Sequence, residues 1–339
     1  MTIREAIDLI VSHGRSLSED QAAAVMRDIM SGEATAAQIG AFLVALRLKG
    51  ETVDEIVGMA RVMREHALKV PMVEAVVDTC GTGGDGSGSF NVSTTAAFVA
   101  AGAGVRVAKH GNRAMSGRCG SADVLEALGA KIDLGPEKVA ECIRRTGFGF
   151  MFAQAFHPAM KHAAPVRREL GVRTVFNILG PLTNPAGAGH QLLGVARPEL
   201  AAKLAAALQR LGSRHVLVVH GDGGLDEVSL SGPTWVSEIV DGTLREYVVT
   251  PEDAGLAVSP AGAIKGGTPE ENAAKMRAVL SGEGGALRDV VLLNAAAALL
   301  AADAARDLKE GTRIAADAIG SGAAMKRLDD FVELSRELG

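Results

Sequence analysis

Aromatic side chains are scarce: one Trp, one Tyr and nine Phe make up 3% of the 339 residues. Recognition of single strands by base stacking needs aromatic platforms, so nucleic-acid or sugar readers of that kind are disfavoured. Cysteine is rarer still. Cys80, Cys119 and Cys142 are odd in number and lack metal-ligand spacing, which argues for reduced thiols rather than a disulfide framework or structural zinc. No long charge run occurs, and a formal charge of -5 gives no general pull toward polyanions or acidic membranes. Any phosphate site must therefore be local. The most apolar stretch, 290–302, falls short of the roughly 20 residues a bilayer needs and reads as a buried helix. The opening MTIREAIDLIVSHG carries Arg4, Glu5 and Asp8 within its apolar pattern. It reads as an amphipathic helix rather than a signal peptide, so a cytoplasmic protein is expected.

What is present is an ordinary globular composition, 47% hydrophobic and 22% charged, long enough for one large and one small domain. In residues 1–70, four capping-box starts stand out: Thr2 with Glu5, Ser18 with Gln21, Thr35 with Gln38, and Thr52 with Glu55. Each pairs a hydroxyl with the N3 amide and an N3 side chain with the cap amide. Four short helices in a small all-helical domain follow. From Ala75 the pattern alternates β-like runs with Ala-rich helical runs, which predicts an α/β domain over 73–339 with a mostly parallel sheet and ligands beyond its carboxyl ends. Asp241-Gly242 between two β-like runs predicts a late antiparallel hairpin. The segment near 157–172 is helical and basic on one side, and is expected to return to the small domain, leaving a cleft between the two.

Four clusters carry chemistry. DTCGTGGDGSGSFNVSTTAAF (78–98) sets five glycines and Asp85 between a strand and a helix start. Glycine lets the backbone approach an anion, and the helix beyond presents free amides. Ser89, Asn91, Ser93 and Thr94 bunch where a phosphate or hydrated metal would lie. The run lacks the Gly-Lys-Ser/Thr of a Walker A loop and does not fit a dinucleotide fingerprint. VAKHGNRAMSGRCGSADVLEALG (107–129) ends a strand with Lys109, His110, Asn112 and Arg113 and enters a helix near Ser121, a second anion site. VVHGDGGLDEVSL (218–230) offers Asp226 and Glu227, adjacent carboxylates suited to magnesium. Finally, His157, His162, Arg167 and Arg168 lie near NILGPLTNP (177–185), and Arg167 can present a bidentate fork to a substrate carboxylate. Taken singly, Lys109, Arg113, His110, His157 and the Asp-Glu pair would each read as solvated or structural. Their convergence at adjacent strand ends favours one polyphosphorylated ligand.

The strings GTGGDG (81–86), FNVST (90–94), KHGNRAMSG (109–117), GSADVLEALG (120–129), RTVFNILGPLTNP (173–185) and GLDEVS (224–229) resemble the anthranilate phosphoribosyltransferase family, in its order and over nearly the whole chain. The resemblance implies a fold of the nucleoside phosphorylase and phosphoribosyltransferase type, a homodimer, and Mg2+. It also implies transfer of phosphoribosyl from 5-phosphoribosyl 1-diphosphate to anthranilate in tryptophan biosynthesis. Carried over by motif, it puts the phosphoribosyl diphosphate against Gly81, Gly84, Asp85, Ser89, Asn91, Val92, Ser93 and Thr94, then Lys109, His110, Gly111, Asn112, Arg113, Ala114, Met115, Ser116 and Gly117, and Ser121. Anthranilate would meet Gly81, Asn112 and Arg167, and the metal Ser93, Asp226 and Glu227. Gly117, Arg118 and Cys119 depart from the family's usual Ser-Lys-Ser, and Ser89 stands where Thr is common. A proton-accepting role for His110 is a secondary expectation. Two rivals are weighed: a pyrimidine nucleoside phosphorylase, disfavoured by the GTGGDGSGSFN and KHGNR loops, and a nucleic-acid-binding relative, disfavoured by net acidity. No nucleic-acid or membrane partner is expected.

Overall fold

The computed structural model describes residues 1–114 and 117–339. Helices α1 (Ile3–Val11), α2 (Glu19–Ser31), α3 (Ala36–Lys49) and α4 (Val53–His66) each start with both halves of a capping box, at Thr2, Ser18, Thr35 and Thr52. Local hydrogen bonding thus sets where each helix begins. Burial of one face of each sets how they pack.

The α/β part follows. Strand β1 (Val77–Gly81) leads to α5 (Val92–Gly102), β2 (Val107–Gly111) to α6 (Ser121–Ala127) and α7 (Pro136–Thr146), and β3 (Phe148–Phe152) to the single turn α8 (Ala153–Phe156). A 3-10 turn (Pro158–His162), α9 (Ala164–Leu170) and α10 (Phe176–Leu179) precede β4 (His190–Gly194), α11 (Ala201–Arg210) and β5 (His215–Gly221). Then come β6 (Thr234–Val240), β7 (Thr243–Val249) and the closing helices α12 (Pro269–Leu280), α13 (Ala286–Ala301), α14 (Leu308–Gly320) and α15 (Ala323–Leu338).

The strands form one seven-stranded sheet in the order β3-β2-β1-β4-β5-β6-β7. Neighbours from β3 to β5 run parallel, while β6 and β7 are antiparallel. The hairpin joining those two turns on Asp241 (φ 47°) and Gly242 (φ 77°), the paired positive φ of a type I′ turn. Side chains alternate across the sheet. Leu192, Leu217 and Val219 enter a core with α5 and α13, whereas Leu193, Val216 and Val218 enter a second core with the helical bundle and α11. Both faces are covered, as parallel strands require. Ala163 and Val166 belong to the bundle-side core, and the His162 ring lies directly over Gly32 of the bundle. The segment around α9 therefore packs on α2 and α3. Among the described residues, no helix is long and apolar enough to cross a membrane.

Candidate active site

The strand order reverses between β1 and β4, which places a crevice at the carboxyl end of β1. A cavity of about 510 Å3 opens there, lined by the glycine loop after β1, the loop after β2, Asp226 and Glu227. The 222–230 segment reaches it from β5 by lying across the ends of β1 and β4. Gly81 and Gly194, paired in register, permit this crossing, since a Cβ on either would collide with Asp226.

Asp226 and Glu227 are half-buried in the cavity floor. Asp226 Oδ2 accepts from the Gly83 amide at 2.6 Å, and Glu227 Oε1 accepts from the Ser93 amide at 3.1 Å, at the N-terminus of α5. Loss of hydration raises both carboxyls well above the usual carboxylate range; Asp85 adds repulsion at Asp226, and Asp226 at Glu227. Asp85 Oδ2 is buried without a hydrogen-bond partner among the described residues. Three acidic groups thus share one end of the cavity with too little positive charge. That arrangement fits a divalent cation. No three His, Cys, Asp or Glu side chains converge as a ready-made ligand set among the described residues, which suits Mg2+, an ion usually held by one or two carboxylates together with waters and substrate phosphates.

Across the cavity, β1 and β2 pair at Val77 and Val107, and beyond that point side chains stand between them. The His110 amide donates to Asp78 Oδ1 at 3.2 Å, and Asn184 Nδ2 donates to Asp78 Oδ2 and to the Ala108 carbonyl, both at 2.8 Å. This wedge separates the two loops and opens the crevice. Asp78 is fully buried, and burial pushes its carboxyl up to about 6 against the pull of Lys109. Lys109, 2% exposed, donates to the Thr79 carbonyl and lies 3.3 Å from Ser93 Oγ. His110 and His157 sit with ring centroids 5.0 Å apart, each with an Nε2 that has no partner among the described residues. Burial lowers them to about 3 and about 4, so both are neutral acceptors or donors near pH 7. Arg167 stacks on Phe176 at 5.1 Å, and burial lowers its pKa.

Residues 73–325 match the glycosyl transferase family a/b domain, and residues 4–67 match its helical bundle domain. Anthranilate phosphoribosyltransferases of Chloroflexus aggregans and a Roseiflexus species are each 60% identical over 338 residues, covering 99% of both chains. The chain belongs to the anthranilate phosphoribosyltransferase family. The crystal structure of the Thermus thermophilus member superposes with a TM-score of 0.92 at 51% identity, over 98% of this chain and 99% of that one. The Saccharomyces cerevisiae member, solved in complex with PRPP and Mg, gives 0.90 at 30% identity, over 99% and 98%.

Against what the family implies, the cavity brings together Gly81, Gly84, Asp85, Ser89, Asn91, Val92, Ser93 and Thr94 with Lys109 through Ala114, Gly117 and Ser121. Met115 and Ser116 lie outside the described residues. Several side chains are committed elsewhere. Arg113 pairs with Asp123 at 3.1 Å and with Glu126, so two carboxylates compete with an anion for its charge. Asn91 Oδ1 accepts from Asn272 Nδ2 at 2.8 Å, and Val92 and Thr94 are buried. What Asn91, Val92 and Thr94 offer a ligand is therefore mainly backbone. Arg167 is not among the cavity-lining residues, whereas Arg173 and Asn177 are. Asp78, Asn184, Arg173, Asn177 and Asn272 escaped the sequence reading. Only Asp78 gave an early sign, as a charge inside the apolar run AVVDTC.

Proposed function

We infer that this chain transfers the 5-phosphoribosyl group from 5-phosphoribosyl 1-diphosphate to the amine of anthranilate. The products are N-(5-phosphoribosyl)anthranilate and diphosphate, and the step belongs to tryptophan biosynthesis. The observation that carries this reading is the set of under-neutralised carboxylates facing a glycine loop at the sheet's switch point. A diphosphate bridged by a divalent cation completes that charge pattern, and neither phosphorolysis nor nucleic-acid binding calls for it.

Substitution at the ribose C1 passes through an oxocarbenium-like state, so the site must stabilise the departing diphosphate and position the incoming amine. Asp226 and Glu227 would hold Mg2+, with Ser93 beside them, and the bound ion would offset negative charge on the leaving group. Backbone amides of the glycine loop and of the first turn of α5 donate to the phosphate oxygens. Lys109 adds fixed positive charge from below. Although Arg167 is outside the cavity lining, the family resemblance supports its pairing with the acceptor carboxylate, with Gly81 and Asn112 bordering the ring. An aniline-type amine is uncharged near pH 7, so no strong base is required. His110 supplies at most an unpartnered Nε2 to take up the proton released by the amine.

The family resemblance supports a homodimer, and Val11, Val44 and Leu48 expose apolar side chains on α1 and α3 that a second copy would cover. The free thiols of Cys80, Cys119 and Cys142 support a reducing, cytoplasmic setting. The test of function is loss of anthranilate fluorescence on mixing the protein with phosphoribosyl diphosphate and Mg2+. Turnover supports the assignment; phosphorolysis of thymidine or uridine with no consumption of anthranilate overturns it.

A further inference from the structure

The peptide linking Thr82 to Gly83 is gripped at both ends. Its N–H, from Gly83, donates to Asp226 Oδ2 at 2.6 Å, and its carbonyl, from Thr82, accepts from Arg173 Nη2 at 2.7 Å. A peptide unit is planar, so fixing the carbonyl fixes where the N–H points. Gly83 has φ +66°, and glycine occupies either sign of φ at little cost, so nothing intrinsic to the chain prevents this peptide from turning over.

The surroundings single out Arg173. A Cβ added at Gly83 or at Gly86 would meet open space, whereas at Gly84 it would collide with the Arg173 guanidinium. Among the described residues, the loop is next held near Ser87, to which Lys265 donates, and at Gly88, whose carbonyl accepts from Gly266 at 2.8 Å. Behind the guanidinium lies a cavity of about 60 Å3 lined by Thr82, Gly84, Thr174 and Arg197, and the Thr174 hydroxyl there is buried without a partner. The loop is thus backed by one side chain over a void rather than by a packed wall. Arg173 also lies only three residues beyond the end of α9, the helix that carries Arg167, so it joins the acceptor side of the site to the phosphate side.

Resting on the transferase reading above, we propose that Arg173 is a positioning residue that sets the orientation of the Thr82–Gly83 peptide and, through it, of Asp226 and the diphosphate loop. Arg173→Ala is expected to raise the KM for phosphoribosyl diphosphate and the Mg2+ concentration for half-maximal rate on the order of tenfold, the size of one charge-assisted hydrogen bond. The KM for anthranilate and the melting temperature should stay near wild type. Arg173→Lys, which keeps a donor but not the flat fork over Gly84, should recover part of the loss.

The experiment is steady-state kinetics of the full chain by anthranilate fluorescence, with calorimetric titration of Mg2+ and phosphoribosyl diphosphate into wild type and both variants. Unchanged phosphoribosyl diphosphate and Mg2+ dependence overturns the proposal. So does a rise confined to the KM for anthranilate, which would make Arg173 an acceptor contact. A variant that melts far lower with every constant degraded overturns it as well, in favour of a purely structural brace. Failure of the wild type to consume anthranilate counts against the assigned reaction, and the calorimetric comparison still decides the role of Arg173.

Discussion

The two ends of the parallel sheet treat polar groups in opposite ways. At the amino end, the His215 ring nitrogens face Glu238 at 2.9 Å and Asp303 at 2.6 Å, donating to both when the ring is protonated, and neighbouring His190 contacts the Ala301 carbonyl at 2.8 Å. Burial would lower His215, yet its two carboxylate partners win and its pKa is raised. At the carboxyl end, His110 and His157 are lowered with unpartnered Nε2 atoms, and Asp85 keeps an unpartnered oxygen. The histidines are thus paired with carboxylates or carbonyls at one end and left with open ring nitrogens at the other. Unmet polar capacity in a cavity is a feature of binding sites, so the difference marks which end serves ligands and which serves stability.

The sharpest way to break that division is at Asp226 and Glu227. Converting them to Asn and Gln is expected to lower turnover by about a hundredfold or more, the scale of losing a principal electrostatic stabiliser, and to abolish the ordinary Mg2+ response. The melting temperature of the metal-free protein should hold or rise, because like charges leave a crowded floor. A large fall in melting temperature would show the pair to be structural. Next in size is Arg167→Ala, for which loss of a charged pair with the acceptor carboxylate predicts a fall of about ten- to a hundredfold in kcat/KM for anthranilate, with the KM for phosphoribosyl diphosphate little changed. Steady-state kinetics with each substrate varied in turn would reveal an effect on the wrong substrate.

How much of this was legible in the sequence follows from where each signal is written. The four capping boxes are local in the chain and predict the starts of α1 to α4 outright. Asp241-Gly242 likewise predicts its hairpin, since the turn chemistry is carried by two adjacent residues. The glycine loop and Asp226-Glu227 announce themselves as strings. The pairing of Arg113 does not: its partners Asp123 and Glu126 lie ten and thirteen residues on, in the first and second turns of α6, and only the fold shows that they engage its charge. Asp78 and Asn184 meet across 106 residues, and Arg173 meets Thr82 across 91. Such wedges and braces depend on tertiary placement and leave no periodic or spaced trace.

A smaller effect tests the other side of the comparison. His215→Gln should leave turnover within about twofold of wild type while lowering the melting temperature by a few degrees near pH 6, since buried hydrogen bonds to charged groups are lost. A fall in turnover matching that of the carboxylate variants would erase the distinction between the two ends.

The smallest effect is the most discriminating, because the two ends should respond to pH with opposite sign. His157 is lowered to about 4 in the folded chain from an ordinary value of 6.5. Between those values the unfolded chain binds the proton and the folded one does not, so this group makes stability rise with pH over that window. His215 has a raised folded value, so its contribution is complete below about 6.5 and is lost as pH climbs through the folded value. Melting temperatures of His157→Gln and His215→Gln, each minus wild type, should therefore be measured from pH 5 to 9. The His157→Gln difference should be most favourable at pH 5 and decline toward neutrality. The His215→Gln difference should be most unfavourable at pH 5 and shrink toward pH 9. Two curves of the same slope would mean that the histidines sit in equivalent environments, and the contrast between a self-satisfied end and a ligand-seeking end would not stand.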